Sequence, residues 1–310
     1  MKVHEFYSTS RTQFVNPAVT IGVFDGVHNG HRHLLNVLKH KAFEHDGETV
    51  VLTLWPHPRM VLQPDKEIRL LNTLEEKTVL FEKEGIDHLV MLNFTNDVAR
   101  MGAEDFVRNI LLGRLGMKAW IIGFDNHFGK DRSGNYETIH ALSTELGFSI
   151  EHPEASFQGP DRVSSTTIRV QLEMGDVEKA ASLLGYQYTL TGLVIEGKRL
   201  GHTIGFPTAN LQPAPLKMVP GIGVYAVWVD VGTKRFPGML NIGFRPTFSS
   251  HTLYKSIEVH LIGYDGDLYN REITLTFVKK LRDERKFENI EKLSEQLEKD
   301  KQTVVTLLNI

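Results

Sequence analysis

Two histidines separated by two residues follow a glycine-rich break in the chain and are the first candidates for chemistry. The stretch reads Gly22-Val23-Phe24-Asp25-Gly26-Val27-His28-Asn29-Gly30-His31. An apolar run precedes it and a segment with helical periodicity follows it, which predicts a strand, a tight loop and a helix. A helix start offers free backbone N–H groups to an anion, and glycines let the backbone approach closely. Both imidazoles can face that anion, and a nucleotide phosphate is the expected ligand.

The composition limits the class of protein. A length of 310 residues favours two domains, and 41% hydrophobic residues suffice for packed cores. The net charge is −3 without a block of like charge, so we expect small-molecule substrates rather than nucleic acid or a membrane. The absence of cysteine excludes disulfides, thiolate catalysis and cysteine-based metal sites. With no signal peptide or long apolar segment, we expect a cytoplasmic monomer or weak homo-oligomer.

Strand and helix patterns alternate over the amino-terminal half. Runs that are apolar on both faces, typical of strands in a parallel sheet, cover residues 18–24, 49–55, 87–92 and 119–122. One helical pattern starts at Thr73, where Thr73 and Glu76 predict a capping box, and others cover residues 103–114 and 136–146. The alternation predicts a Rossmann-like, doubly wound α/β domain with its ligand beyond the carboxyl ends of the strands.

Three further loops or helix starts could share that ligand. They contain His57 and Pro58, then Asp125 and Asn126, and then Ser164, Ser165, Thr166 and Arg169. Taken alone, the serines are helix caps and His57 is a hydrogen-bonded loop residue. The histidine pair could also bind zinc, but no third ligand with clear spacing accompanies it. The occurrence of all the segments together favours phosphate binding.

The His-x-Gly-His element and the Ser-Ser-Thr-Thr-Ile-Arg segment resemble the His-x-Gly-His nucleotidyltransferase superfamily. With the Pro56-His57-Pro58 loop, the set resembles the FMN adenylyltransferase module of prokaryotic bifunctional riboflavin kinase/FAD synthetases. This resemblance implies that His28 and His31 contact the ATP phosphates and stabilise charge while the FMN phosphate attacks the α-phosphorus. It implies ATP contacts for Gly22, Phe24, Asp25, Gly30, Ser164, Ser165, Thr166 and Arg169. It implies flavin contacts for His57, Pro58, Asp125 and Asn126.

Two positions, Trp55 and Asn126, depart from that family's pattern, and a third position, Asp25, has two interpretations. Trp55 stands where an acidic residue is usual, and Asn126 lies in a segment that replaces the commoner Asp-Phe-x-Phe. Both departures should alter how flavin or adenine packs and leave the reaction type unchanged. Asp25 could form the turn or order the histidines, and we favour the turn.

The pattern changes near residue 185, so the predicted domains are residues 1–185 and 186–310. Short apolar runs separated by Gly, Pro and Asp cover residues 190–195, 224–229, 239–242, 256–262 and 273–278. Such runs predict a small antiparallel β-barrel, and the helical pattern beyond Phe287 predicts a carboxy-terminal helix packed on it. Alternation over residues 256–261 places Ile257, Val259 and Leu261 in the core and Glu258 on the outer face.

Residues 192–210 form the second stretch with chemical potential. Their glycines and basic pair could wrap phosphates, while Thr208 and Asn210 offer neutral oxygens to Mg²⁺. A glycine-rich hairpin with solvated basic residues is the alternative. Likewise, a lone outward carboxylate such as Glu258 is usually only solvated.

Gly-Phe-Pro-Thr-Ala-Asn at residues 205–210 and Glu258-Val259-His260-Leu261 resemble the riboflavin kinase module of the same family. The resemblance implies that Thr208 and Asn210 bind Mg²⁺ and that Glu258 takes the proton from the ribityl 5′-hydroxyl. It implies ATP contacts for Gly197, Lys198, Gly201, His202, Gly205, Pro207, Thr208 and Asn210. It implies flavin contacts for Arg282, Glu284 and Phe287. His202 stands where arginine is common, so phosphate affinity should depend on pH.

Both modules together imply that riboflavin is phosphorylated to FMN by ATP and that FMN is then adenylylated to FAD. Two alternatives stay open. One is an adenylyltransferase for another phosphate monoester with a flavin-binding barrel, and the other is a non-catalytic flavin-binding regulator. Only the bifunctional enzyme converts riboflavin to FMN and releases both ADP and pyrophosphate.

Overall fold

A computed structural model describes residues 1–6, 13–123, 136–153, 157–158, 161–197, 201, 204–246 and 253–310. The contacts divide the chain into two compact units, Met1–Ser164 and Ser165–Ile310. Two helices, α7 (Ser165–Met174) and α8 (Val177–Leu184), therefore belong to the second unit. The predicted domain boundary at residue 185 stays a prediction. None of the helices in these ranges is long and apolar enough to cross a membrane.

One parallel sheet organises the described part of the first unit. Its strands are β1 (Lys2–Phe6), β2 (Ala18–Gly22), β3 (Thr49–Trp55), β4 (His88–Asn93), β5 (Ala119–Ile121) and β6 (Ser149–Glu151). They lie in the order β1-β4-β3-β2-β5-β6, so the chain leaves β2 toward one edge and later returns on the other side with β5. The strand order reverses beside β2. Ligands of open α/β sheets bind at such a switch point, beyond the carboxyl ends of the strands.

Helices cover both faces of this sheet, which confirms the doubly wound prediction. The longer ones are α1 (Asn29–Glu44), α3 (Leu74–Lys83) and α6 (Tyr136–Leu146), and the short ones are α2 (Pro58–Leu62), α4 (Asn96–Arg100) and α5 (Ala103–Asp105). Leu35 and Phe81 pack with Val51 on one face. The other face carries α6 and a π-helix (Phe106–Leu112) that follows α5, so the helix predicted over residues 103–114 changes its winding. A short hairpin, β7 (Phe157–Gln158) and β8 (Asp161–Arg162), follows β6.

The capping box predicted at the start of α3 is confirmed. Thr73 Oγ1 accepts a hydrogen bond from Glu76 N, and Glu76 Oε2 accepts one from Thr73 N. The strand predicted to reach Phe24 is shorter, because β2 ends at Gly22 and Phe24 adopts a φ of 51° that no strand allows.

The second unit contains a closed antiparallel barrel within the described residues, as predicted. Its strands are β9 (Thr189–Ile195), β10 (Ala209–Pro213), β11 (Gly223–Val231), β12 (Lys234–Pro246), β13 (Leu253–Leu261) and β14 (Glu272–Arg282). Their closed order is β10-β13-β12-β11-β14-β9. Helix α9 (Ile290–Leu308) covers the outside, where Val304 packs against Ala226 and Met239. Strand β10 has no counterpart among the predicted strands.

Candidate active sites

The chain turns sharply between β2 and α1, at the switch point of the sheet. Phe24, Gly26 and Val27 have φ angles of 51°, 93° and 36°. Left-handed conformations are costly for residues with a Cβ and persist only where the surroundings hold them. Phe24 and Val27 are 2% and 1% exposed, and the Phe24 ring forms T-shaped contacts with the rings of His31 and Phe81. Burial of these two apolar side chains therefore stabilises a strained turn.

His28 caps helix α1 and stacks on His31. Its Nδ1 accepts a hydrogen bond from His31 N at 3.4 Å, and the two ring centroids lie 3.7 Å apart. A neutral imidazole that accepts at Nδ1 carries its proton on Nε2, where it can donate to a phosphate oxygen. Gly30 leaves room for this stack, because a Cβ there would lie 3.3 Å from the His28 ring. The first turn of α1 contains no acidic residue that would compete with an anion.

Burial keeps both histidines neutral. It lowers the pKa of His28 to about 4 and that of His31 well below 6.5, and electrostatic repulsion from His28 when it is protonated and from Lys77 lowers the pKa of His31 further. His31 Nδ1 is buried without a hydrogen-bond partner. A buried polar atom without a partner favours a site that a ligand completes. The pair can therefore offer neutral donors to phosphates at the positive end of α1.

The stacked arrangement also bears on the zinc alternative. The two rings are inclined by only 14°, so their nitrogen lone pairs run side by side and do not converge on one ion. Within the ranges that the structure covers, no group of three or more His, Cys, Asp or Glu side chains could hold a metal ion.

Asp25 ties the turn to the segment before α3. Its Oδ1 accepts hydrogen bonds from Leu71 N at 2.9 Å and Asn72 N at 3.3 Å, and the residue is 3% exposed. Its carboxylate therefore fixes the turn against a segment distant in sequence. The predicted ATP contact of Asp25 stays a prediction.

The remaining residues predicted for adenylyl transfer have simpler surroundings. His57 caps the short helix α2, since its Nδ1 accepts from Arg59 N at 3.1 Å, and Pro58 is the first residue of that helix. Ser165 opens α7, directly after Ser164, with Thr166 exposed and Arg169 one turn further. Asp125 and Asn126 lie outside the described residues. Ligand contacts for all of these residues stay predictions.

The low pKa of His28 predicts acid sensitivity. The unfolded chain binds a proton at His28 below pH 6.5, whereas the folded chain resists protonation until about pH 4. The unfolding free energy should therefore fall as the pH drops through this window, by at most about 3 kcal/mol from this residue. Urea unfolding at pH 7 and pH 4.5 measures the loss, and His28→Asn should reduce it. An equal loss in wild type and variant would contradict the assignment.

Glu258 lies on the outer face of the barrel between two asparagines. The register pairs Asn210 of β10 and Asn241 of β12 with Glu258 of β13. Directly paired residues in an antiparallel sheet share a face, so the three side chains form one row. Val259 and Ile257, the neighbours of Glu258, are 0% and 4% exposed, which confirms the predicted alternation. The barrel therefore presents a carboxylate flanked by two amides.

Glycines bring the backbone close to this row. A Cβ on Gly197 would lie 2.0 Å from Nδ2 of Asn210, so a side chain at position 197 would displace the Asn210 amide. Gly201 accepts a hydrogen bond from Phe206 N at 2.9 Å, and a Cβ there would lie 2.1 Å from Phe206 O. Gly205 has a φ of 79°, which favours glycine. The predicted ATP contacts Lys198 and His202 lie outside the described residues.

A cavity of about 150 Å³ lies beside Thr208. Pro207 and Thr208 form one side, and the turn over residues 264–269 forms the other. His260, on the face that also carries Glu258, donates from Nδ1 to the Pro207 carbonyl at 2.8 Å. This hydrogen bond fixes the segment before β10, which carries Thr208 and leads into Asn210 of β10.

The segment after β14 reaches the same row. Asn241 Nδ2 donates to Glu284 Oε1 at 3.3 Å, and a Cβ on Gly243 would lie 2.1 Å from that oxygen. Arg282 donates to the buried Asp300 of α9 at 2.8 to 3.2 Å. Its guanidinium lies 5.7 Å from the Phe287 ring centroid. The Glu284 contact attaches the segment to the barrel, and the Arg282–Asp300 contact attaches α9 to the end of β14. The flavin contacts of Arg282, Glu284 and Phe287 stay predictions.

Two residues near these sites were missed by sequence reasoning. Lys77 contacts the β2–α1 turn. Its position on the apolar stripe of α3, between Leu74 and Phe81, could have indicated that the lysine is buried. Asn241 lies opposite Glu258. A polar residue inside the predicted strand at 239–242 could have indicated a functional position. The pairing itself depends on strand register, which the sequence pattern left open.

Comparison with known proteins identifies both halves of the chain. Residues 10–167 match the family model described as FAD synthetase, and residues 184–308 match the one described as riboflavin kinase. A bifunctional riboflavin kinase/FMN adenylyltransferase of Escherichia coli (strain K12) is 36% identical over 92% of this chain and 90% of its own length. The protein of the same name from Bacillus subtilis (strain 168) is 37% identical over 93% of this chain and 91% of its own length.

The fold has a solved counterpart. A crystal structure described as a macrolide-efflux protein from Streptococcus pneumoniae has a TM-score of 0.89 and 26% sequence identity. The likeness covers 97% of this chain and 98% of that one. The family models and the full-length relatives agree in order and extent with the α/β unit and the barrel. The chain belongs to the family of bifunctional riboflavin kinase/FMN adenylyltransferases, which make FMN from riboflavin and FAD from FMN.

Proposed function

We propose that adenylyl transfer takes place at the β2–α1 turn and that riboflavin is phosphorylated on the outer face of the barrel. The observation that carries this assignment is the carboxylate of Glu258 in its row of amides. A ribityl hydroxyl must lose a proton when it attacks a phosphorus atom, and a carboxylate can accept that proton. The FMN phosphate is already an anion and needs no base. The turn, with its neutral histidines, suits this second reaction.

At the turn, the chain's task is to hold phosphates and to stabilise charge. An oxygen of the FMN phosphate forms a bond to the α-phosphorus of ATP while the bond to the β-phosphate oxygen breaks. Pyrophosphate leaves with that bonding electron pair. The Nε2–H group of His28 and the N-terminus of α1 are the donors that we assign to the phosphate oxygens. Ser164, Ser165 and Arg169 are assigned to the triphosphate on the family pattern.

On the barrel, Glu258 takes the proton from the ribityl 5′-hydroxyl while that oxygen attacks the γ-phosphorus, and ADP leaves. The hydroxyl of Thr208 and the amide oxygen of Asn210 are hard oxygen donors, which fit Mg²⁺. When bound, Mg²⁺ would neutralise phosphate charge. The cavity beside Thr208 suits the base of ATP, because Val194 and Leu261 add apolar walls to it.

An incubation with riboflavin, ATP and Mg²⁺ tests the proposed sequence of reactions. Chromatography should show FMN first and FAD later, with ADP and pyrophosphate as the respective co-products. FMN without FAD, or no FMN, would contradict the proposed sequence of reactions.

A cytoplasmic location and a monomeric or weakly oligomeric state belong to the same proposal. Analytical ultracentrifugation would test the oligomeric state.

Thr208→Val is expected to raise the Mg²⁺ concentration that half-saturates FMN formation by about tenfold, the effect of losing roughly 1.4 kcal/mol of ligand binding. Removal of Mg²⁺ by a chelator should stop FMN formation in the wild type and in Thr208→Val. The exposed Thr303 of α9 provides the control, because Thr303→Val makes the same chemical change away from the row. An unchanged Mg²⁺ requirement in Thr208→Val would exclude Thr208 as a ligand.

A further inference from the structure

Lys77 is a buried lysine to which neither proposed reaction gives a role. Only 3% of the residue is exposed, and its Nζ donates to the Val23 carbonyl at 2.7 Å. Val23 is the first residue after β2, where the chain leaves the sheet. Thr53 Oγ1 of β3 donates to the same carbonyl at 3.4 Å. Two side chains from different elements therefore hold the point at which the turn begins.

A buried ammonium group costs several kcal/mol of desolvation, so a neutral side chain would serve better if only packing mattered. The groups that face Lys77 are the Asp25 carboxylate from the turn and His31 from α1. The position of Lys77 joins α3, the turn and the histidine pair in one polar cluster.

We propose that Lys77 is a positioning residue for adenylyl transfer, which fixes the histidine-bearing turn through the Val23 carbonyl and places a buried positive charge beneath the phosphate site. This inference rests on the proposed location of adenylyl transfer at that turn. Small misplacements of groups that hold a reacting phosphate reduce rates strongly, and a fixed charge away from water acts over a longer range than one on the surface.

The charge of Lys77 makes the inference testable through pH. Burial lowers the pKa of Lys77 to about 8, and the Asp25 carboxylate opposes that effect. In the free enzyme the ammonium should therefore lose its proton as the pH rises through about 8. The value of kcat/KM reports ionisations of the free enzyme, so kcat/KM of adenylyl transfer should fall above this pH.

Two variants separate the charge from a structural role. Lys77→Met should lower kcat/KM of FAD formation by about 10- to 100-fold and remove the alkaline decline. Lys77→Arg keeps a donor and a permanent charge, so it should retain most activity and extend the plateau beyond pH 9. Riboflavin phosphorylation by the same molecules is the internal control, and it should change less than twofold in either variant.

Wild-type kcat/KM in Lys77→Met, or an unchanged alkaline decline in Lys77→Arg, would overturn the proposal. If circular dichroism shows that Lys77→Met is unfolded in the amino-terminal unit, the pH profile of Lys77→Arg decides. His28→Asn tests the location of the site separately. Loss of FAD formation in His28→Asn together with full activity in Lys77→Met would refute only the role of Lys77.

Discussion

Glu258→Gln should yield a protein that makes FAD from supplied FMN but forms almost no FMN from riboflavin. A positioned general base contributes about 10²- to 10⁴-fold, and glutamine cannot accept the proton. The substitution keeps the size and shape of the side chain between Asn210 and Asn241 and one oxygen that can accept a hydrogen bond, so that the register of β10, β13 and β12 should survive. The expected loss is therefore in kcat of the kinase reaction.

The measurement follows both products in one preparation. FMN is quantified from riboflavin and ATP, and FAD is quantified from supplied FMN and ATP. Glu272→Gln is the matched control, because Glu272 is an exposed residue at the start of β14 and undergoes the same change of charge. Equal loss of both activities in Glu258→Gln would contradict two independent sites, and full kinase activity would exclude Glu258 as the base.

Residue periodicity predicted most of the architecture correctly. Runs apolar on both faces indicated the parallel strands, because β3 and β4 are covered by helices on each side. Alternation indicated the orientation of Glu258, since Ile257, Val259 and Leu261 must fill the barrel. Capping at Thr73 was predictable because all its hydrogen bonds are local in sequence.

Contacts between distant segments were not predictable in the same way. Nothing in a single sequence indicates that Asp25 binds the backbone at residues 71–72 or that Lys77 binds the Val23 carbonyl. Strand β10 was missed because it carries polar residues and ends at Pro213, and its role is to pair with β9 and β13. The chain's departure from the expected strand at Phe24 likewise depends on the packing of its ring in the core, against residues distant in sequence such as Phe81.

His28→Asn and His28→Ala should both make riboflavin-fed reactions stop at FMN. Removal of one preorganised donor to a developing phosphate charge costs about 10²- to 10³-fold in kcat. Asparagine is a good N-cap residue and can accept the hydrogen bond from His31 N, whereas alanine cannot. Only His28→Ala should therefore also lose roughly 1 kcal/mol of stability from the start of α1.

The comparison of these two variants separates helix capping from phosphate contact. FAD formation from supplied FMN and urea unfolding are measured for each, with riboflavin phosphorylation as the control for the barrel. If His28→Asn restored the FAD rate of the wild type, His28 would be a structural cap and the imidazole would have no part in adenylyl transfer. If both variants lose FAD formation although the asparagine variant keeps its stability, the neutral Nε2–H donor of His28 is the group that the reaction requires. A neutral donor at this point is physically reasonable, because it binds a phosphate oxygen without the cost of burying an unpaired imidazolium when the site is empty.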